Sequence, residues 1–156
     1  MNKVLRFSYP AAILVILAVW PLSAGAQGDV SFDRSSLSIE TADGTHSFDV
    51  ELAISGEQRA RGLMFRQDMA PDAGMLFLYR SDRVINMWMA NTLIPLDMLF
   101  IEANGRIARI EENTIPLSRT TVSSRGRARA VLELNAGTVR RLGIGVGDRV
   151  VHDRLK

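Results

Sequence analysis

Apolar and polar residues alternate with period two over Leu37–Thr41 and again over Phe48–Ile54, on either side of Ala42-Asp43-Gly44-Thr45. Alternation flanking an Asp-Gly turn predicts a β-hairpin. Ser55 followed three residues later by Gln58 has the form of a capping box, and Gly62 ends what it starts, so Gly56–Arg61 is predicted as one or two turns of helix. Met64–Ala73 reads as loop with a turn at Pro71-Asp72, and Met75–Tyr79 and Val84–Met89 read as two short apolar strands. Ile94–Ile101 is apolar at nearly every position, the pattern of a strand covered on both faces. Asn104-Gly105 marks a second hairpin turn leading into Ile107 and Ile110. Asn113–Arg127, which holds Pro116, Gly126 and several Ser and Thr, reads as a long polar connection. Ala128–Asn135 predicts a strand, Gly137–Leu142 a short helix ended by Gly143, and Arg149–His152 a last strand. Short strands with turns every 8–12 residues or so predict a mostly β, single-domain fold of sandwich or jelly-roll type with one or two short helices.

Ahead of these strands the pattern changes. Met1–Pro10 carries Lys3 and Arg6 and no acid, the run Ala11–Trp20 is apolar, and Pro21 precedes the small-residue stretch Ser23-Ala24-Gly25-Ala26. A basic start, an apolar core and an A-x-A site form the pattern of a secretory signal peptide. Cleavage near Ala26 leaves 130 of the 156 residues, enough for one domain with a core of its own. The sequence is thus divided into a signal over 1–26, a lead-in and first strand over 27–47, and a main β domain over 48–156, with a periplasmic or secreted product. After cleavage no apolar stretch approaches the length of a membrane span.

Loss of Lys3 and Arg6 leaves 17 of the 19 cations against 17 acids. Without a surplus of cations to meet phosphates, nucleic acid is not an expected partner. The chain has no Cys, which excludes disulfides, a thiol nucleophile and thiolate metal sites. His46 and His152 are its only histidines, and neither stands in zinc-ligand spacing. No Gly-rich phosphate loop follows a strand, so no cofactor is expected. Nothing in the pattern fixes an oligomeric state.

Candidate chemistry gathers in the middle and near the end of the chain. On a strand, Asp97 would share an otherwise apolar face with Leu99 and Ile101, and Glu133, between Leu132 and Leu134, would share one with Val131. A buried carboxylate requires a donor or stays protonated. The two acids could form an acid/base pair in a pocket, or be tied to arginines or loop amides as structural groups. Arg59, Arg61 and Arg66 are the natural partners, since a guanidinium fork meets a carboxylate or phosphate in two parallel hydrogen bonds. They could equally form an anion pocket. Trp88 beside Asn91 and Thr92 could hold a ring by stacking with a few polar contacts, or be a core Trp with a strand-ending turn. The six methionines after Met1 lie between Met64 and Met98. Met87 and Met89 among them are the nearest approach to a soft-metal site, against the alternative of plain packing.

The string Arg59-x-x-Gly62-Leu63-Met64-x-Arg66, then Gly74-Met75-Leu76-Phe77, then Trp88-Met89-x-Asn91-Thr92-x-Ile94-Pro95-Leu96-Asp97-x-Leu99-Phe100 resembles the family called domain of unknown function 192. Gly105-x-Ile107, Val131-Leu132-Glu133-Leu134 and Gly143…Gly147-Asp148 continue the likeness in order, over roughly Phe48 to Val151. The resemblance implies a single, mostly β domain of sandwich or jelly-roll type, found in exported or membrane-associated bacterial and archaeal proteins, and it implies no activity. Two departures stand out: Ala90 where many relatives carry Lys, and Met87 where an aromatic is usual.

These readings converge on a non-catalytic periplasmic binding module for a small polar or anionic ligand, with Arg59, Arg66, Trp88, Asn91, Thr92 and Asp97 as its contacts. The alternatives are a protein-interaction domain of the cell envelope, which an exposed apolar patch would favour, and a carboxylate-dependent hydrolase acting on glycans, with Asp97 and Glu133 as the pair.

Overall fold

The computed structural model of the protein describes residues 30–155; the segment read as a signal peptide lies outside them. Strand β1 (Asp33–Thr41) and strand β2 (Gly44–Ala53) form the hairpin expected from their alternation, with Leu37 opposite Phe48. Helix α1 (Gly56–Arg61) begins at a complete capping box. The Ser55 hydroxyl accepts from the Gln58 amide at 3.0 Å, and the Ser55 amide donates to the Gln58 side chain at 2.9 Å. Strand β3 (Ala73–Met87) then runs parallel to β2. Parallel neighbours need a crossover between them, and α1 with residues 62–72 supplies it.

Strands β4 (Leu96–Ile101) and β5 (Ile107–Glu111) form the second hairpin, and β6 (Val122–Asn135) lies antiparallel between β4 and β3. Helix α2 (Thr138–Leu142) ends at Gly143, whose φ of 63° suits a residue without a side chain. Strand β7 (Arg149–Val151) pairs with β1. The spatial order is β5-β4-β6-β3-β2-β1-β7, and the two outer strands meet. Arg106 bridges to Arg149, the Val150 amide donates to the Gly105 carbonyl at 2.8 Å, and the Ile107 amide donates to the Asp148 carbonyl at 2.9 Å. One sheet therefore curls until its edges are stitched together. The fold is a single, mostly β domain with two short helices.

The curl creates two cores. Leu37, Ile39, Val50, Leu76, Leu99 and Leu132 fill the inside of the curl. Met75, Phe77, Met98, Phe100 and Val131 face outward from β3, β4 and β6, and are covered by Leu63 of the crossover and by Met89 and Ile94. Every residue of β4 is buried, which is why the segment is apolar at nearly every position.

Two expectations are corrected. Met75–Tyr79 and Val84–Met89 are not separate strands: β3 runs through both, with a bulge in which Leu78 pairs with Ala130 and Arg83 with Ala128. The polar Arg80-Ser81-Asp82 separated two apolar stretches in the sequence because it bulges out of the ladder. Asp82 there accepts from the side chains of Arg127 and Arg129 at 2.8 and 2.7 Å. The long connection expected over Asn113–Arg127 is shorter, since β6 starts at Val122. The first half of β6 pairs with the outer end of β3, where Ser124 is the one buried residue over 122–127, and so lacks apolar alternation.

Candidate functional site

A small cleft of about 80 Å³ opens where the crossover passes over the outer end of β3. Arg59 and Met64 form one wall, Tyr79, Asn86 and Trp88 the other, and Thr92 and Glu133 also line it. Of the residues singled out from sequence, the fold brings Arg59, Arg61, Met87, Trp88, Thr92 and Glu133 together here. Tyr79 and Asn86 carried no signal beyond their place in an apolar strand and at its end.

Each wall is fixed by a different device. Arg59 donates to the Leu78 carbonyl at 3.0 Å and to the Ile54 carbonyl through the same nitrogen, and its guanidinium lies 4.9 Å from the centre of the Tyr79 ring. That contact is a cation–π stack, and it leaves the other guanidinium nitrogens without a protein acceptor among the described residues. Trp88 is 57% exposed at the rim. Thr92 is buried, with its hydroxyl 3.5 Å from the Ala90 carbonyl.

The loops around the cleft are laced by backbone hydrogen bonds, from Phe65 to the Asn91 carbonyl at 2.8 Å and from Leu117 to the Thr92 carbonyl at 3.0 Å. Phe65, Asn91 and Leu117 all have positive φ, at 67°, 57° and 62°. Such backbone is uncommon for residues with side chains, and it gathers at ligand clamps and active sites.

Glu133 sets the electrostatics. It stands on β6 between Met75 of β3 and Met98 of β4 in register, and is 4% exposed. Among the described residues nothing donates a hydrogen bond to its carboxyl group, and burial pushes that group up from 4.5 to about 8. At neutral pH the cleft therefore holds a protonated carboxyl, a donor with no acceptor among the described residues. Burial also raises the Tyr79 hydroxyl, against the lowering influence of Arg59 and Arg83.

The other expected contacts lie elsewhere. Asp97 is fully buried on the opposite face of the sheet, where it accepts from the Asn113 amide at 2.9 Å and the Val139 amide at 3.0 Å. It holds the turn after β5 and the first turn of α2, so it is neither a ligand contact of the cleft nor one half of a carboxylate pair with Glu133. Arg66 makes a two-pronged ion pair with Glu51 instead of lining the cleft. Asn91 stands exposed behind the rim, its side-chain amide 3.8 Å from the Met64 sulfur. Met87 and Met89 do not form a common sulfur site: Met87 faces Tyr79 at 3.8 Å, and Met89 accepts from the Thr114 hydroxyl at 3.2 Å inside the core.

Two further features invite comparison with the cleft. A larger groove of about 530 Å³ runs over β1 and β2 beside Arg66 and Ala73, but its principal charges, Glu51 and Arg66, satisfy each other. His152 places its Nε2 3.1 Å from the Ser35 hydroxyl. The Arg154 amide donates to Nδ1 at 3.2 Å, so Nε2 carries the proton and donates to the serine. A general base for that hydroxyl requires the opposite tautomer.

Residues 38–152 match the DUF192 family, described as Uncharacterized ACR. Among solved structures, a protein of Sinorhizobium meliloti 1021 described provisionally as a transcription regulator is 50% identical, with a TM-score of 0.77 over 80% of this chain and 97% of its own. A protein of unknown function from Novosphingobium aromaticivorans DSM 12444 is 33% identical, with a TM-score of 0.75 over 80% of this chain and 94% of its own. No curated protein matches the chain. With the match running from β1 past β7 and taking in every wall of the cleft, the chain belongs to the DUF192 family.

Proposed function

We propose that the protein is a non-catalytic binding module for a small polar, anionic ligand, and that the cleft between the crossover and the outer end of β3 is its site. One observation carries the reading: the carboxyl group of Glu133, a residue only 4% exposed, opens onto the cleft and has no hydrogen-bond partner among the described residues. A carboxyl group that reaches the surface only through a cleft is placed to take its partner from outside. Arg59 provides positive charge beside it, and the exposed Trp88 provides a face for stacking. The basic start, apolar run and A-x-A site over residues 1–26 support a periplasmic or secreted location for the module.

A second reading, a protein-interaction domain, has its own observation in the exposure of Phe65, Trp88, Ile115 and Leu117 on the loops near the cleft. The regulator description of the Sinorhizobium protein, if it meant nucleic-acid binding, finds no support in the balance of cations and acids here.

Thermal unfolding of the protein against sugars, uronic acids, carboxylates and phosphates separates the readings. A ligand at 100 times its Kd stabilises a fold by about 2.7 kcal/mol, which is several degrees for a domain of this size. The expected result is a shift with one anion class that Trp88→Ala reduces. If no small molecule moves the transition, the binding-module reading fails and the apolar loops become the surface to pursue.

A further inference from the structure

Resting on the reading of the cleft as a ligand site, we propose that its ligand is a small organic carboxylate, taken up together with a proton that Glu133 holds and donates to one of the ligand's oxygens. The geometry favours this class over other anions. The cleft is about 80 Å³, room for one small functional group with its nearest atoms. It offers two kinds of donor, the free nitrogens of Arg59 and the carboxyl of Glu133, which suit the two oxygens of a carboxylate. A phosphate dianion brings more charge and more oxygens than these donors satisfy. Trp88, 57% exposed at the rim, is placed to cover an apolar or aromatic tail that follows the carboxylate.

The proton belongs to the site because nothing around Glu133 draws it away. On β3 the facing residues are Met75 in register and, farther along, Tyr79. On β4 the facing residue is Met98, while Asp97 points to the other side of the sheet. Arg59 and Arg61 come from α1 and line the cleft, and Arg83, which does not line it, lies 5.9 Å from the Tyr79 ring centre. None of these cations forms an ion pair with Glu133 among the described residues. The carboxyl thus meets an incoming carboxylate as an O–H donor, whereas an ionised Glu133 would repel it. Binding consumes a proton wherever the empty site has lost its own.

The competing class is an amine or another small cation, which would bind the ionised carboxylate and expel the proton. The sign of proton exchange separates the two. The test is calorimetric titration of the purified protein with phenylacetate and, separately, with phenethylamine and inorganic phosphate. Runs at pH 8 in Tris and in Bicine, which differ in ionisation enthalpy, give the protons exchanged. The group titrates near 8 in the empty site, so phenylacetate is expected to take up about half a proton per site at that pH. Its affinity should be about tenfold weaker at pH 9 than at pH 7, and Glu133→Gln, which keeps a donor and cannot ionise, should flatten that slope. Carboxylate binding with no proton uptake, phosphate binding in place of carboxylate, or phenethylamine binding with proton release each overturn the carboxylate assignment while leaving the cleft as a binding site. Failure of all three probes, together with silence of the wider ligand panel, overturns both. The proton count is read on the unaltered protein, so the test stands even if Glu133→Gln folds poorly.

Discussion

Asp97 and Glu133 stand one register step apart in adjacent strands and face opposite sides of the sheet: Asp97 pairs with Leu134, and Met98 pairs with Glu133. One step along a strand reverses a side chain, so two acids that are neighbours in the ladder have no common solvent. Asp97 meets two backbone amides, at 2.9 and 3.0 Å, and acts as a clamp. Glu133 meets none and is left to the cleft. A retaining or inverting glycosidase needs two carboxyl groups flanking one bond, an arrangement the sheet itself forbids here.

Burial of the Glu133 carboxyl makes the fold weaker as pH rises. Between 4.5 and about 8 the unfolded chain ionises Glu133 while the folded chain keeps it protonated. The folded state then binds more protons, stability falls with pH through that window, and above about 8 the dependence levels off. Glu133→Gln removes this penalty. The variant should be more stable than the parent by up to about 3 kcal/mol at pH 7, with a smaller gain at pH 5. Urea unfolding of both proteins at pH 5, 7 and 9 checks the trend, and an equal gain at every pH would refute it.

Removing the clamp should have the opposite effect. Asp97→Ala strands the Asn113 and Val139 amides, and Asn113 sits at a φ of 52° that its bond to Asp97 helps to hold. Two charge-assisted bonds are lost in a fully buried site, a loss of about 3–5 kcal/mol. Chemical denaturation measures it. Ligand affinity at the cleft, scored on the remaining folded protein, should be unchanged.

Arg66→Ala separates the cleft from the larger groove. Arg66 and Glu51 are both partly exposed, and their pair is worth about 1 kcal/mol or less. A small loss of stability with ligand binding intact is the expected outcome. Loss of binding with stability intact would move the site to the groove over β1 and β2.

Gly105 tests the stitching of the sheet edges. Its φ is 86°, and a Cβ there would lie 2.4 Å from the Val150 carbonyl oxygen. Gly105→Ala must push β7 away from the turn before β5, so it should cost more than about 2 kcal/mol. Amide exchange of Ile107 and Val150 should rise more than that of Leu76 in the middle of the sheet.

Features set by near neighbours were legible in the sequence, and features set by distant partners were not. The capping box of Ser55 and Gln58 spans three residues and forms as read. The hairpin at Asp43-Gly44 likewise needs only its own two strands. The bulge at Arg80–Asp82 looked like a break between two strands because its anchors, Arg127 and Arg129, lie more than 40 residues away. The burial of Glu133 could be read from Leu132 and Leu134, but its lack of a partner could not, since that depends on where each arginine goes. Arg66 went to Glu51 and Arg59 to two backbone carbonyls. The same residue types in the same order would have allowed the reverse. Asp97 carried the signal of a site residue because a buried acid in a specific motif looks alike whether it serves a ligand or an amide.

The seam between Gly105 and Val150 also has a consequence in time. Strand β7 is synthesised after every other described strand, yet it pairs with β1, the first of them, and touches the turn before β5 at Gly105 and Ile107. A chain emerging from its N-terminus can form the β1–β2 hairpin early, but the ring of strands stays open until residue 150 has arrived. Until then the free edges of β1 and β5 are templates for the wrong neighbour. A stop codon ahead of residue 149 would leave that vulnerability permanent.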